Sequence, residues 1–181
     1  PYKLVAGTRF YERREVKDII AYLRLIQNPY DSVSLLRVIN VPQRGSGQQS
    51  QSTLSVWAKS QGISQYEALQ LITEQKEHQP PFSSRINKAL ASFLNLIQEF
   101  IACSRELNLV DLFDLVIKRT GYEEYILGGA NGEERWDNIL ELRTVAQQYR
   151  DLAPSEGLAA FLEGVTLVSD VDGFDETVDA V

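Results

Sequence analysis

Residues 42–50 read Pro-Gln-Arg-Gly-Ser-Gly-Gln-Gln-Ser. Gly45 and Gly47, one residue apart, let a backbone turn tightly and come close to a ligand. A helix starting after them would aim its free N–H groups and positive dipole end at an anion. Arg44 offers a charged fork to a phosphate oxygen, Ser46 sits between the two glycines, and Ser50 offers a hydroxyl. Lys17, on the polar side or edge of an upstream helix, is in a position to reach the same track of phosphates. This pattern suits gripping a duplex backbone without reading bases. On spacing alone, an inter-helix turn and a solvated helix lysine explain the same residues and are the commoner cases.

The rest of the chain offers little catalytic chemistry. Gly128-Gly-Ala-Asn-Gly132 lacks the Gly-Lys-Ser/Thr ending of a nucleotide loop and no strand leads into it, so it reads as a turn. His78 is the single histidine and Cys103 the single cysteine, which leaves a His/Cys zinc site without ligands. No nucleophile motif accompanies His78. Glu123-Glu124 and Glu133-Glu134 fall at expected helix starts, where they complement the dipole. Arg9, Glu12, Arg13, Arg14, Glu15, Lys17 and Asp18 alternate in sign and read as surface pairs at helical spacing. Trp57 and Trp136 sit among apolar neighbours and read as core anchors, and Cys103, on or beside the packed face of the long helix, reads as a buried small hydrophobe.

These groups must be positioned by an ordinary globular composition. The 181 residues are 44% hydrophobic and 24% charged, enough for one main domain. No apolar run approaches the ~20 residues of a membrane span, and residues 1–10 lack the apolar core of a signal peptide. One cysteine allows no internal disulfide and fits a reducing cytosol. Pro at residue 1 and the absence of Met suit an excised piece or a processed start. The net charge of -7 is unevenly spread. Residues 1–60 carry nine Lys/Arg and four Asp/Glu, a net of +5, while residues 61–181 carry nine and 21, a net of -12. That asymmetry points to a local anion-facing surface on an acidic body, although a solvated face would look the same.

The patterning predicts an all-α domain. Tyr2–Val5 is a short strand candidate with no partner in the chain. Val16, Ile19, Ile20, Leu23 and Ile26 mark a first helix that Asn28-Pro29 ends. Asp31 caps a second helix, and Val41-Pro42 stops it. Helices are expected over 49–60, with Leu54, Val56 and Trp57 as its apolar members, then from Ser64, from Ser83 or Ser84, and over 109–120. Two more are expected over 133–150, burying Trp136, Ile139, Leu140 and Val145, and over 156–168. The acidic tail from Ser169 reads as loop.

The stretch YKLVAGTRFYERREVKDIIAYLRLIQNPYDSVSLLRVINVPQRGSG closely resembles part of the UvrD/PcrA/Rep-type superfamily 1 DNA helicases. The segments EERWDNILELRTVAQQY, LAAFLEGVTLVSDVD and the terminal DAV extend the resemblance over essentially the whole chain. It implies residues 1–8 as a remnant of the RecA-like core 2A, 9–170 as the helical 2B subdomain, and 171–181 as an acidic linker returning to core 2A. It further implies a parent that is an ATP-dependent 3′-to-5′ helicase of DNA repair or replication, using ATP and Mg²⁺. This stretch carries no cofactor, because the Walker A loop, the Asp-Glu pair and the arginine finger are all absent, and by itself it should not hydrolyse ATP. The implied partners are duplex DNA at a single-strand/double-strand junction, the RecA-like cores and further repair proteins, with no membrane and a cytoplasmic setting. In that family the duplex-contact loop is commonly Gly-Ile-Gly. Here Ser46 replaces the middle residue, Ser50 keeps the hydroxyl of a common Thr, and Lys17 matches a lysine approaching the same duplex. The alternative is a protein-interaction and autoinhibitory module with negligible DNA affinity, which the -12 balance favours.

Overall fold

The computed structural model describes residues 9–74 and 80–178, with side chains through residue 170. The expected strand at Tyr2–Val5, the segment 1–8 apart from its boundary, and His78 lie outside the described residues.

Helix α1 (Arg14–Gln27) is the axis of the molecule. Its sequence suggested one apolar stripe, yet Val16, Ile19, Tyr22, Leu23, Leu25 and Ile26 are all buried, so core wraps nearly every face. A 3-10 turn at Phe10–Glu12 leads into it. Helix α2 (Ser32–Val38), α5 (Ser84–Cys103), α8 (Gly132–Gln147) and α9 (Pro154–Val178) all pack on α1. Helices α3 (Gln48–Gln61) and α4 (Gln65–Glu74) form a layer at one end, and α4 rests on α2 and α5. Helices α6 (Leu109–Thr120) and α7 (Tyr122–Leu127) build the opposite end around α8. Among the described residues there is no strand, which agrees with the all-α expectation.

Local chemistry sets most boundaries. The Asp31 side chain accepts the Ser34 N–H at 3.0 Å, and Asn108 accepts that of Asp111 at 3.0 Å. Ser64 and Glu67 exchange N–H bonds at 3.2 and 2.8 Å in a reciprocal capping box that opens α4. Gly62 and Gly121 end α3 and α6 in the left-handed conformation, at φ +69 and +67.

Four expectations are corrected. Helix α9 runs to Val178, where a loop from Ser169 was expected, because acidic residues lower helix propensity only slightly and no proline intervenes. On α8 the buried apolar side chains are Ile139, Leu142 and Ala146; Leu140 is 44% exposed, and Trp136 and Val145 are half-buried. On α3, Leu54 is buried but Val56 is 70% exposed, while Trp57 packs edge-on to Phe82 at 6.5 Å. Cys103 is half-buried at the end of α5 rather than inside the core.

Candidate functional site

The loop between α2 and α3 is built from the carbonyl end of α2. Helices leave their last carbonyls without intrahelical partners, and here one side chain collects them. The Arg44 Nη1 donates to the carbonyls of Val38 (2.8 Å), Ile39 (3.3 Å) and Val41 (3.3 Å). Its Nη2 donates to the Tyr22 hydroxyl, which in turn donates to the Val41 carbonyl. The guanidinium lies over the rings of Tyr22 and Phe93, 5.8 and 5.4 Å from their centres. The Arg44 backbone N–H donates to Asn40 Oδ1 at 2.7 Å. Burial pushes the Tyr22 phenol up to about 12 despite the neighbouring Arg44, so it stays a proton donor. The sequence suggested a free fork at Arg44; in the structure both Nη groups are engaged inside the chain.

Past Arg44, Gly45 takes φ +89, a conformation L side chains rarely adopt. Ser46 turns inward: it is 1% exposed and its hydroxyl lies 3.4 Å from the Ile39 carbonyl. Its side chain therefore faces the protein, and only its backbone lies along the loop. Gly47 caps α3 with ordinary angles, φ -68 and ψ 180. No atom of the protein would lie within 4 Å of a Cβ at Gly45 or Gly47. Helix α3 begins without a side-chain cap and without an acidic residue in its first turn. Gln48 and Gln49 are exposed and Ser50 is half-buried beside them. The result is an outward-facing positive helix end, approached by exposed backbone on one side.

Lys17 lies elsewhere on α1. It pairs with the Glu12 carboxylate and lines a groove of about 210 Å³ with Tyr11, Arg24, Val33 and Arg37. None of residues 44–50 lines that groove. Lys17 and Tyr22 are five residues apart, roughly 7.5 Å along the helix and about 140° around it. The structure thus gathers residues 44–50 into one loop and the first turn of α3, and sets Lys17 on a different face of α1.

Residues 1–181 match the family model described as the UvrD-like helicase C-terminal domain. The chain belongs to that family. The protein named ATP-dependent DNA helicase UvrD1 from Mycobacterium tuberculosis is 36% identical over 192 residues, covering 97% of this chain and 24% of the relative. ATP-dependent DNA helicase PcrA from Bacillus subtilis is 33% identical over 177 residues, covering 97% and 23%. PcrA from Staphylococcus aureus is 34% identical over 179 residues, covering 97% and 24%. The chain spans about a quarter of the length of these curated relatives.

Sequence reading of this UvrD-like chain missed a second polar cluster at the start of α1. Glu15 and Asp18, expected in surface pairs, are buried at 4% and 2% exposure. Glu15 accepts from Asn138 Nδ2 at 2.8 Å and from Arg135 Nε at 3.2 Å, both on α8. Asp18 accepts from Arg37 Nε at 2.9 Å and from the Tyr122 hydroxyl at 2.8 Å. Burial pushes the Glu15 carboxyl up, but a backbone hydrogen bond, Asn138 and Arg135 outweigh it and hold the group below the usual glutamate range. For Asp18 burial wins over Tyr122 and Arg37, and the carboxyl lies above the usual aspartate range. The partners are about 20 to 120 residues away in sequence, so no local spacing could have revealed them. Their work is to fasten α1 to α2, α7 and α8.

Proposed function

We propose that this chain is the duplex-DNA-contacting, regulatory 2B subdomain of an ATP-dependent 3′-to-5′ DNA helicase acting in DNA repair or replication. One observation carries the reading: the bare backbone of Gly45 and Gly47, on either side of the buried Ser46, and an uncapped, acid-free start of α3 face the outside. Backbone N–H groups at a helix start bind phosphate oxygens irrespective of base sequence. Nothing inside the chain calls for glycine at residue 47, and close approach by an external backbone supplies the reason. Ser50 adds a hydroxyl beside this helix start, and Lys17, on another face and paired with Glu12, is a separate contact with the duplex. Membership of a family whose relatives are named DNA helicases supports the assignment. The partners are a single-strand/double-strand junction and the RecA-like cores of the parent, in a cytoplasmic setting.

Nucleotide chemistry belongs to the parent's other parts. The sequence has no Gly-Lys-Ser/Thr loop. The glycine-rich turn at 128–132 closes on its own carbonyls, with Ile126 and Leu127 oxygens 2.7 Å from a Cβ placed at Gly132. Carbonyl oxygens repel phosphate, and no cluster of three His, Cys, Asp or Glu among the described residues would hold a metal ion. On this reading ATP and Mg²⁺ are bound by the parent's other parts.

The test is a gel-shift titration of the chain against a duplex with a single-stranded tail, at low and moderate salt. Retardation that is alike for unrelated sequences and weakens with salt is expected. No retardation at low salt would remove the reading and leave the interaction-module alternative, which the -12 balance of residues 61–181 favours.

A further inference from the structure

We infer that Arg44 and Tyr22 are positioning residues that set the aim of the Gly45–Gly47 loop, with the Arg44 charge spent on the protein's own carbonyls rather than on a phosphate. The inference rests on the duplex-contact reading and refines it.

The geometry has three parts. First, Arg44 gathers acceptors from a seven-residue helix and the strap behind it, joining carbonyls 38, 39 and 41 in one fan. A planar guanidinium can do this while stacking on rings; a lysine ammonium, a point charge with three donors, cannot reproduce it. Second, the stack spans elements: Tyr22 belongs to α1 and Phe93 to α5. The residue immediately before Gly45 is therefore tied to α1, α2 and α5 at once, and its backbone N–H is fixed by Asn40. Third, the Tyr22 hydroxyl completes the fan, accepting from Arg44 and donating to Val41. Beyond this anchor only three residues precede α3, and Ser46 is itself tucked inward. The direction in which the α3 N–H groups point is thus fixed from two sides, by Arg44 before the loop and by the packing of Leu54 and Ala58 along α3. A duplex contact that depends on aim to within a fraction of an ångström depends on that anchor.

The experiment compares Arg44→Lys, Arg44→Gln and Tyr22→Phe with the parent chain. Duplex affinity is measured across a salt series, at a temperature where circular dichroism shows each variant fully folded. Positioning predicts that Arg44→Lys, which keeps the charge, and Tyr22→Phe, which loses only a hydroxyl, each weaken binding by about tenfold. The slope of log affinity against log salt should stay at the parent value in all three. A direct phosphate contact predicts instead that Arg44→Gln lowers that slope by about one unit and that Arg44→Lys binds nearly as the parent. Either of those results overturns the inference, as does a variant that loses thermal stability while the folded protein keeps full affinity. Backbone amide resonances supply an independent arm: those of residues 45–50 should shift in Arg44→Lys and Tyr22→Phe while those of α6 stay in place. Unshifted loop resonances also overturn it. Should the parent chain not bind duplex at all, the duplex reading falls, and the resonances alone decide whether Arg44 sets the loop.

Discussion

The chain has two glycine-rich turns that each lead into a helix, and they are opposites. At 128–132 the glycines answer to the protein itself. A Cβ on Gly132 would meet the Ile126 and Leu127 carbonyl oxygens at 2.7 Å, and one on Gly128 would lie 3.1 Å from the Glu124 oxygen. The helix that follows carries Glu133 and Glu134 in its first turn, which neutralise its positive end. At 45–47 a Cβ would meet nothing, and the helix that follows has neither acid nor cap. One turn is glycine-rich because α7 and α8 crowd together; the other has room that its own fold leaves unused. Sequence composition cannot separate these cases, because both are runs of glycine before a helix. Space around the missing side chain does.

Four measurements press on that contrast, in falling order of expected effect on stability. Gly132→Ala should cost about 3 kcal/mol in urea unfolding, since the added carbon must displace backbone rather than a flexible side chain. A variant as stable as the parent would erase the distinction between the turns. Next is acid. The turn at 128–132 delivers Arg135 and Asn138 to Glu15, whose folded value lies below the unfolded reference of 4.5. A lowered carboxyl stabilises the fold above the unfolded value and gives that up as pH falls through the folded one. The urea midpoint should therefore drop as pH falls from 4.5, and less steeply in Glu15→Gln. Asp18 runs the other way, since burial raises it, and it should offset part of the loss. An equal drop in Glu15→Gln would detach Glu15 from this behaviour.

The two smaller effects concern the open turn. Gly45→Ala should cost about 1 kcal/mol, from the φ of +89 alone, because no atom stands in the way. Gly47→Thr should change stability by only about a few tenths of a kcal/mol, because threonine is as good a helix cap as glycine. The same change should weaken duplex binding several-fold, by holding a phosphate backbone away from α3. Duplex affinity equal to the parent's would make the 45–47 turn as self-serving as the other one.

How much of this was legible in the sequence depends on the range of the interaction. Helix α6 shows it best: Gly121 after it is a local stop signal, and the expected span 109–120 is the observed one. Ser64 and Ser83 likewise announce α4 and α5. The Gly45–Gly47 loop was visible as a motif, as was the start of α3. What the sequence could not carry was the inward turn of Ser46 and Arg44, because their partners belong to α1, α2 and α5. Glu15 and Asp18 fail for the same reason. Alternating charge at helical spacing looks like a solvated face until the fold brings Tyr122 and Asn138 against it. Helix α7 was announced only by Glu123-Glu124 in its first turn, and its six residues are held by burial of Tyr122 and Ile126 against their neighbours.

The pairing of α1 with α9 has a mechanical side. Arg24 donates to Thr166 at 3.2 Å. Gln27, the last residue of α1, shares a groove with Ala159, and Lys17, early in α1, shares one with Ser169. The two helices therefore run antiparallel, with the start of one beside the later part of the other. A pull applied at those two neighbouring points acts across the pair rather than along it. Such a load peels the helices apart from one end, one contact after another, and meets far less resistance than sliding them past each other would.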